Sequence, residues 1–164
     1  MGFKKASRDL NFAEFLLRSS MNKNRCLDNL SKINDSLDWD SIEEMLAGYY
    51  NTGKSAKGAG AYPPLILFKC LLLQKWFRIN SDPELECYVN DRISFKKFLG
   101  IPFTDPSPAH STFSRFRKRL SKKAMDNLNN EITRQFETKG LAISEGIAVD
   151  ARIVKLQSRY GEDE

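Results

Sequence analysis

One segment constrains the fold of this chain more than any other. Pro63-Pro64 is followed by Leu65-Ile66-Leu67-Phe68 and an apolar series that reaches Phe77, interrupted only by Lys69, Gln74 and Lys75. A proline pair suits a helix start, because the first turn has no intrahelical partner for its N–H groups. On a helix these apolar residues occupy nearly every side, so the segment cannot lie on a surface and must be the buried centre of a bundle. The stretch 65–77 is too short, and too interrupted by lysine, to cross a bilayer.

A buried helix needs others around it, and the remaining sequence supplies them. Apolar residues recur at helical spacing over 11–18, 27–37 and 41–50. Asp40 or Ser41 is expected to cap the third of these, with Glu43 and Glu44 in its first turn. Asp82-Pro83 opens a helix through Leu85 and Val89, and Asp91 opens a short one through Phe95, Phe98 and Leu99, stopped by Gly100. Segments 111–120 and 124–139 complete the helical part. Three stretches punctuate it: a Gly/Ser/Lys/Ala loop at 51–61, an extended or turned segment at 100–110 with Pro102, Pro106 and Pro108, and a transition at 140–146. Beyond Gly146, Ile147-Ala148-Val149 and Ile153-Val154 are β-prone and fit one strand. The predicted fold is mainly α, a helical bundle that ends in the first β-strand of a further unit.

The 164 residues allow one domain with a core, or one domain and the start of another. The net charge of +5 is unevenly distributed: residues 1–60 hold 9 basic and 8 acidic side chains, whereas 110–139 hold 8 and 3. Cys26, Cys70 and Cys87 form no Cys-x-x-Cys pair, and two of them sit in apolar helical patterns, which predicts buried, reduced thiols. His110 is the sole histidine, which excludes a zinc site built on several histidines. No signal-peptide core follows Met1-Gly2-Phe3-Lys4-Lys5, so a soluble, cytoplasmic protein is expected.

The basic excess is patterned. From Ser111 to Lys123 there are six Lys or Arg residues and no acid. Phe113, Phe116 and Leu120 recur at core-facing spacing, and Arg115, Lys118, Arg119 and Lys122 form a separate stripe. Such a helix can anchor itself by its aromatics and present cations to a DNA groove. Ser111 and Thr112, at its start, offer hydroxyls and backbone N–H groups to phosphate. The two preceding helices make a helix-turn-helix-like element, with a connection longer than the usual turn. The same pattern also describes a basic surface helix with no ligand. Asp150 is a carboxylate within an apolar strand, where a divalent cation would be a suitable partner; an aspartate at a strand end or turn is the other reading.

Three blocks carry a family resemblance. Tyr62-Pro63-Pro64-Leu65 leading into 68–77, then Ser81-Asp82 through Phe98, resembles the N-terminal domain of bacterial insertion-sequence transposases of the DDE type. So do Pro108-Ala109-His110-Ser111-Thr112-Phe113-Ser114-Arg115-Phe116-Arg117 and, after a helix, Gly146-Ile147-Ala148-Val149-Asp150-Ala151. The resemblance implies a helical DNA-binding domain over 1–140 and, over 141–164, the start of an RNase H-like catalytic domain. It matches Asp150 to the first of three metal-binding carboxylates. In the family, Mg2+ at these groups activates water to cut DNA and then activates the freed 3′-hydroxyl to join target DNA. The helix containing Arg115 matches a helix-turn-helix-like reader of the element's terminal inverted repeats. The family's second aspartate and downstream glutamate have no match before Glu164. The expectation is therefore a truncated transposase that binds element ends, without a functional metal and inactive alone, and that forms homodimers through an exposed strand edge at 147–154. A stand-alone helix-turn-helix regulator, a repressor of transposition and a module for an acidic protein partner are the alternatives.

Overall fold

The buried centre falls where the apolar run places it. The computed structural model describes residues 25–51, 60–143 and 153–155, together with positions 3, 15, 16 and 19. Within these, the elements are α1 (Arg25–Ser36), α2 (Trp39–Tyr49), α3 (Pro64–Trp76), α4 (Asp82–Asp91), α5 (Ile93–Leu99), α6 (His110–Arg119), α7 (Lys122–Thr138), β1 (Leu141–Ile143) and β2 (Ile153–Lys155). The fold is mainly α. Helix α3 starts at Pro64, and Leu67, Phe68, Cys70, Leu72 and Leu73 are all buried. It packs against α2, α5 and α6, so its contacts come from three sides.

The exit from α3 aims the chain at α4. Arg78 adopts a left-handed φ of 51°. Its N–H donates to Lys75 O at 3.3 Å and the Ile79 N–H to Gln74 O at 2.9 Å, the two bonds of a Schellman turn, with Ile79 buried beyond it. A non-glycine residue in this conformation is strained by about 1 kcal/mol. Ser81 then caps α4, its Oγ accepting from Glu84 N at 3.3 Å, while Glu84 reaches back to accept from Asn80 N at 3.1 Å.

Several boundaries differ from those expected. Asp38, not Asp40 or Ser41, caps α2; its Oδ1 accepts from Asp40 N at 3.2 Å and Ser41 N at 3.4 Å. The helix starts earlier because Trp39 is held by packing, its ring edge-on to Phe98 and its Nε1–H donating to Asn34 O at 2.9 Å. Ser81 replaces Asp82 as the cap of α4, which releases Asp82 for contacts described below. Asp91 closes α4 rather than opening α5, and Arg92 alone joins the two, its guanidinium over the Tyr88 ring. Cys70 is buried, which pushes its thiol pKa up, but Cys87 is exposed because α4 turns Leu85 and Val89 inward. The side chain of Cys26 lies outside the described residues, as does most of the expected helix over 11–18.

The segment between α5 and α6 is fastened at several points. Gly100, with a φ of 70°, ends α5. The buried Lys96 Nζ donates to Phe103 O and Asp105 O, both at 2.8 Å. Asn90 accepts from Ser107 N at 3.0 Å and donates to Ser107 Oγ at 2.9 Å, and the Tyr62 hydroxyl donates to Ser107 O at 3.4 Å. The long connection is thus a built part of the α4–α6 unit. After α7, β1 pairs antiparallel with β2, with Ala142 opposite Val154, so the strand at 153–154 has a partner on one side. The expected strand at 147–149 lies outside the described residues.

Candidate nucleic-acid interface

Helix α6 is held by its apolar face. Phe113 and Phe116 are fully buried, Leu120 is buried beyond them, and Phe116 meets Tyr50 edge-to-face at 5.0 Å. This anchoring leaves Ser111, Arg115, Arg117, Lys118 and Arg119 exposed on the other side. The division matches the expected spacing of aromatic and basic residues.

The start of α6 differs from expectation. Its cap residue, Ala109, has no side-chain acceptor, and Glu86 from α4 supplies one. Glu86 Oε2 accepts from His110 N at 2.7 Å and lies 2.9 Å from His110 Nδ1. The backbone and side-chain hydrogen bonds from His110 hold the Glu86 carboxyl below its usual range. The Thr112 N–H donates to Ala109 O at 2.8 Å. Backbone donors at His110 and Thr112 are therefore occupied from within the protein, and a carboxylate stands beside the expected phosphate contacts of Ser111 and Thr112. Ser111 serves Arg115 instead: Arg115 Nε donates to Ser111 O and Nη2 to Ser111 Oγ, both at 3.1 Å.

Arg117 is exposed but tethered to neighbouring helices. It pairs with Asp82 of α4, and its Nη1 donates to Gln74 of α3 at 3.1 Å; Gln74 in turn donates to Asp82 at 3.2 Å. Burial pushes the Asp82 carboxyl up, but the hydrogen bonds from Arg117 and Gln74 and the positive charge beside it outweigh this and lower its pKa. Arg117 ties α6 to α3 and α4, so one of the six basic residues is neutralised. Asp82, Pro83, His110, Ser111, Ser114 and Arg115 line an open cleft between α4 and α6.

The basic stripe crosses a helix boundary. Leu120 (ψ 132°) and Ser121 (ψ 155°) are extended, and Ser121 Oγ accepts from Ala124 N at 3.1 Å to start α7. Lys122, expected on one stripe with Arg115, is the first residue of α7, so the stripe spans two helices. Burial of Leu120 against the core takes the chain out of α6 before another turn can form. Lys118 and Arg119 end α6, Lys122 and Lys123 begin α7, and all four are exposed. Lys123, which the expected stripe omitted, belongs to this corner. The partners Glu86, Asp82 and Gln74 carry no signal in the sequence that would assign them to α6.

Asp150, the expected metal ligand, lies outside the described residues, as do Glu162, Asp163 and Glu164. Among the described residues no group of three or more His, Cys, Asp or Glu is placed to hold a metal ion. No helix among them is long and apolar enough to cross a membrane. A family model described as Transposase domain (DUF772) matches residues 17–119, an interval that contains all of α1 to α6. No curated protein and no solved structure matches the chain.

Proposed function

The chain belongs to the Transposase domain (DUF772) family, and from that premise we propose that its helical unit binds the DNA at the ends of a mobile element through α6 and the first turn of α7. The observation that carries this reading is the corner formed by Lys118, Arg119, Lys122 and Lys123, where four exposed cations lie in a stretch without an acid. Clustered cations focus a field on phosphates in a way that the net charge of +5 alone does not. Two features strengthen it. The α4–α6 unit is fastened by Lys96, Asn90 and Arg117, so the cations are presented on a rigid support. Lys122 and Lys123 also occupy the positive end of the α7 dipole, with no acid in its first turn. That placement is unfavourable for the helix and favourable for an incoming anion.

The test is fluorescence anisotropy of the full chain with labelled duplexes carrying the inverted repeats that flank its gene, against a scrambled duplex, over a salt series. Four phosphate contacts give a log–log salt slope of about −3.6. Binding that is absent, or insensitive to salt, would remove this function from the corner.

A further inference from the structure

The two ends of α6 are chemically different. At the C-terminal end and into α7, Lys118, Arg119, Lys122 and Lys123 are exposed, and the stretch 111–123 holds no acid. At the N-terminal end, Glu86 approaches His110, and Asp82, which pairs with Arg117 of the last turn, lines the cleft beside His110 and Ser111. A phosphate brought there would meet both. A base edge, which carries no net charge, would not be repelled in the same way.

Resting on the DNA-binding reading above, we infer that Arg115 reads a guanine in the major groove, as the residue that sets sequence preference, while the α6–α7 corner grips phosphate. Ser111 consumes one edge of the Arg115 fork, taking Nε–H on its carbonyl and one Nη2–H on its hydroxyl. What remains is the end edge, with one donor from Nη1 and one from Nη2 running parallel. Two parallel donors match the O6 and N7 acceptors of guanine. Because the guanidinium is already held on an exposed face, less rotamer freedom is lost on binding than for an unbraced arginine. Arg115 lies on the wall of the open cleft beside Ser111, Ser114 and Pro83, where the described surface leaves room for a base edge. Arg117 cannot take this role, since Asp82 and Gln74 already engage its guanidinium. The arrangement places reading at the first turns of the helix and backbone contacts at its far end, as in helices that enter the major groove by their N-terminal residues.

The experiment uses the full chain and a pool of 30-base-pair duplexes with a randomised core. Duplexes enriched by the wild-type chain are remade with each guanine replaced in turn by 7-deazaguanine, which lacks the N7 acceptor. One such replacement should weaken wild-type binding about tenfold. Arg115→Ala, which removes every donor to O6 and N7, should abolish both the enrichment and that penalty while changing the salt slope by less than one unit. Ser111→Ala should reduce the preference a few-fold, with the slope intact. Thermal melts of both variants check that the exposed substitutions leave the fold in place. Retained preference in Arg115→Ala, or no 7-deazaguanine effect anywhere, would overturn the inference. A wild-type chain that binds every duplex alike with a steep salt slope would overturn it too, yet leave the DNA-binding reading standing. Absence of binding to any duplex would remove both.

Discussion

Two sets of lysines among the described residues have opposite surroundings. Lys69 and Lys96 are buried against the bundle, at 8% and 7% exposure, and each ammonium is met by oxygen acceptors. Lys118, Lys122 and Lys123 stand in solvent at the α6–α7 corner. Lys69 Nζ donates to Asn34 Oδ1 at 2.8 Å and Phe98 O at 3.4 Å, and sits 4.0 Å from the centre of the Trp39 ring. It joins α1, α2 and α5 to α3. Lys96 pins the connection ahead of α6. The side chain is the same in both sets; whether it holds the fold or faces a ligand is decided by which acceptors the rest of the chain brings to it.

The largest effect that would break this comparison is a pH response at Lys69. Burial pulls its pKa down to about 8 from 10.5, with the charge of Glu43 opposing. Between those values the unfolded chain keeps the proton that the folded chain has released. Stability therefore rises with pH across that window, by about 3 kcal/mol in full. Urea denaturation of wild type and Lys69→Met at pH 7.5 and 10.5 should show this gain in the wild type and its absence in the variant. Equal pH responses would mean that Lys69 is as well solvated as the corner lysines.

Lys96→Met comes next. It leaves the Phe103 and Asp105 carbonyls without their shared donor, which should lower stability by about 2 kcal/mol. Since Lys96 fastens the segment that leads into α6, the variant should also bind DNA more weakly, with the salt slope unchanged because no phosphate contact is lost. A reduced slope would place Lys96 with the corner lysines after all.

The contrast also explains what could be read in advance. Helix α3 was legible because an apolar run with no polar side has one solution, the centre of a bundle. The inward face of α6 was legible because Phe113, Phe116 and Leu120 keep helical spacing. So was the boundary near Leu120, since 111–120 and 124–139 read as separate helices; that the stripe of Arg115, Lys118, Arg119 and Lys122 spans this boundary was not. Nor were the carboxylates at α6, because Glu86 and Asp82 act across 24 and 35 residues of chain. The buried lysines were invisible for a related reason: a lysine in an apolar run reads as the solvent side until the acceptors of other helices are in place. Local periodicity carries the scaffold; partners brought together by packing decide the chemistry of the site.

The smallest effect sharpens the comparison most, because stability and binding should move in opposite directions. Lys122 and Lys123 are the first two residues of α7, where the helix dipole favours acids and Ser121 already supplies the cap. Replacing both with glutamate should stabilise the protein by about 1 kcal/mol, since each charge reversal near a helix N-terminus contributes a few tenths or more. The same change removes two of the four proposed phosphate contacts and adds repulsion, so the salt slope should fall by at least two units and affinity for any duplex should collapse. A double variant that is less stable than wild type would show that these lysines support the fold, as Lys69 and Lys96 do. One that is more stable yet binds DNA unchanged would separate the corner from nucleic acid. A gain in stability together with loss of binding is the result expected of side chains kept at an unfavourable helix end for the sake of a polyanion.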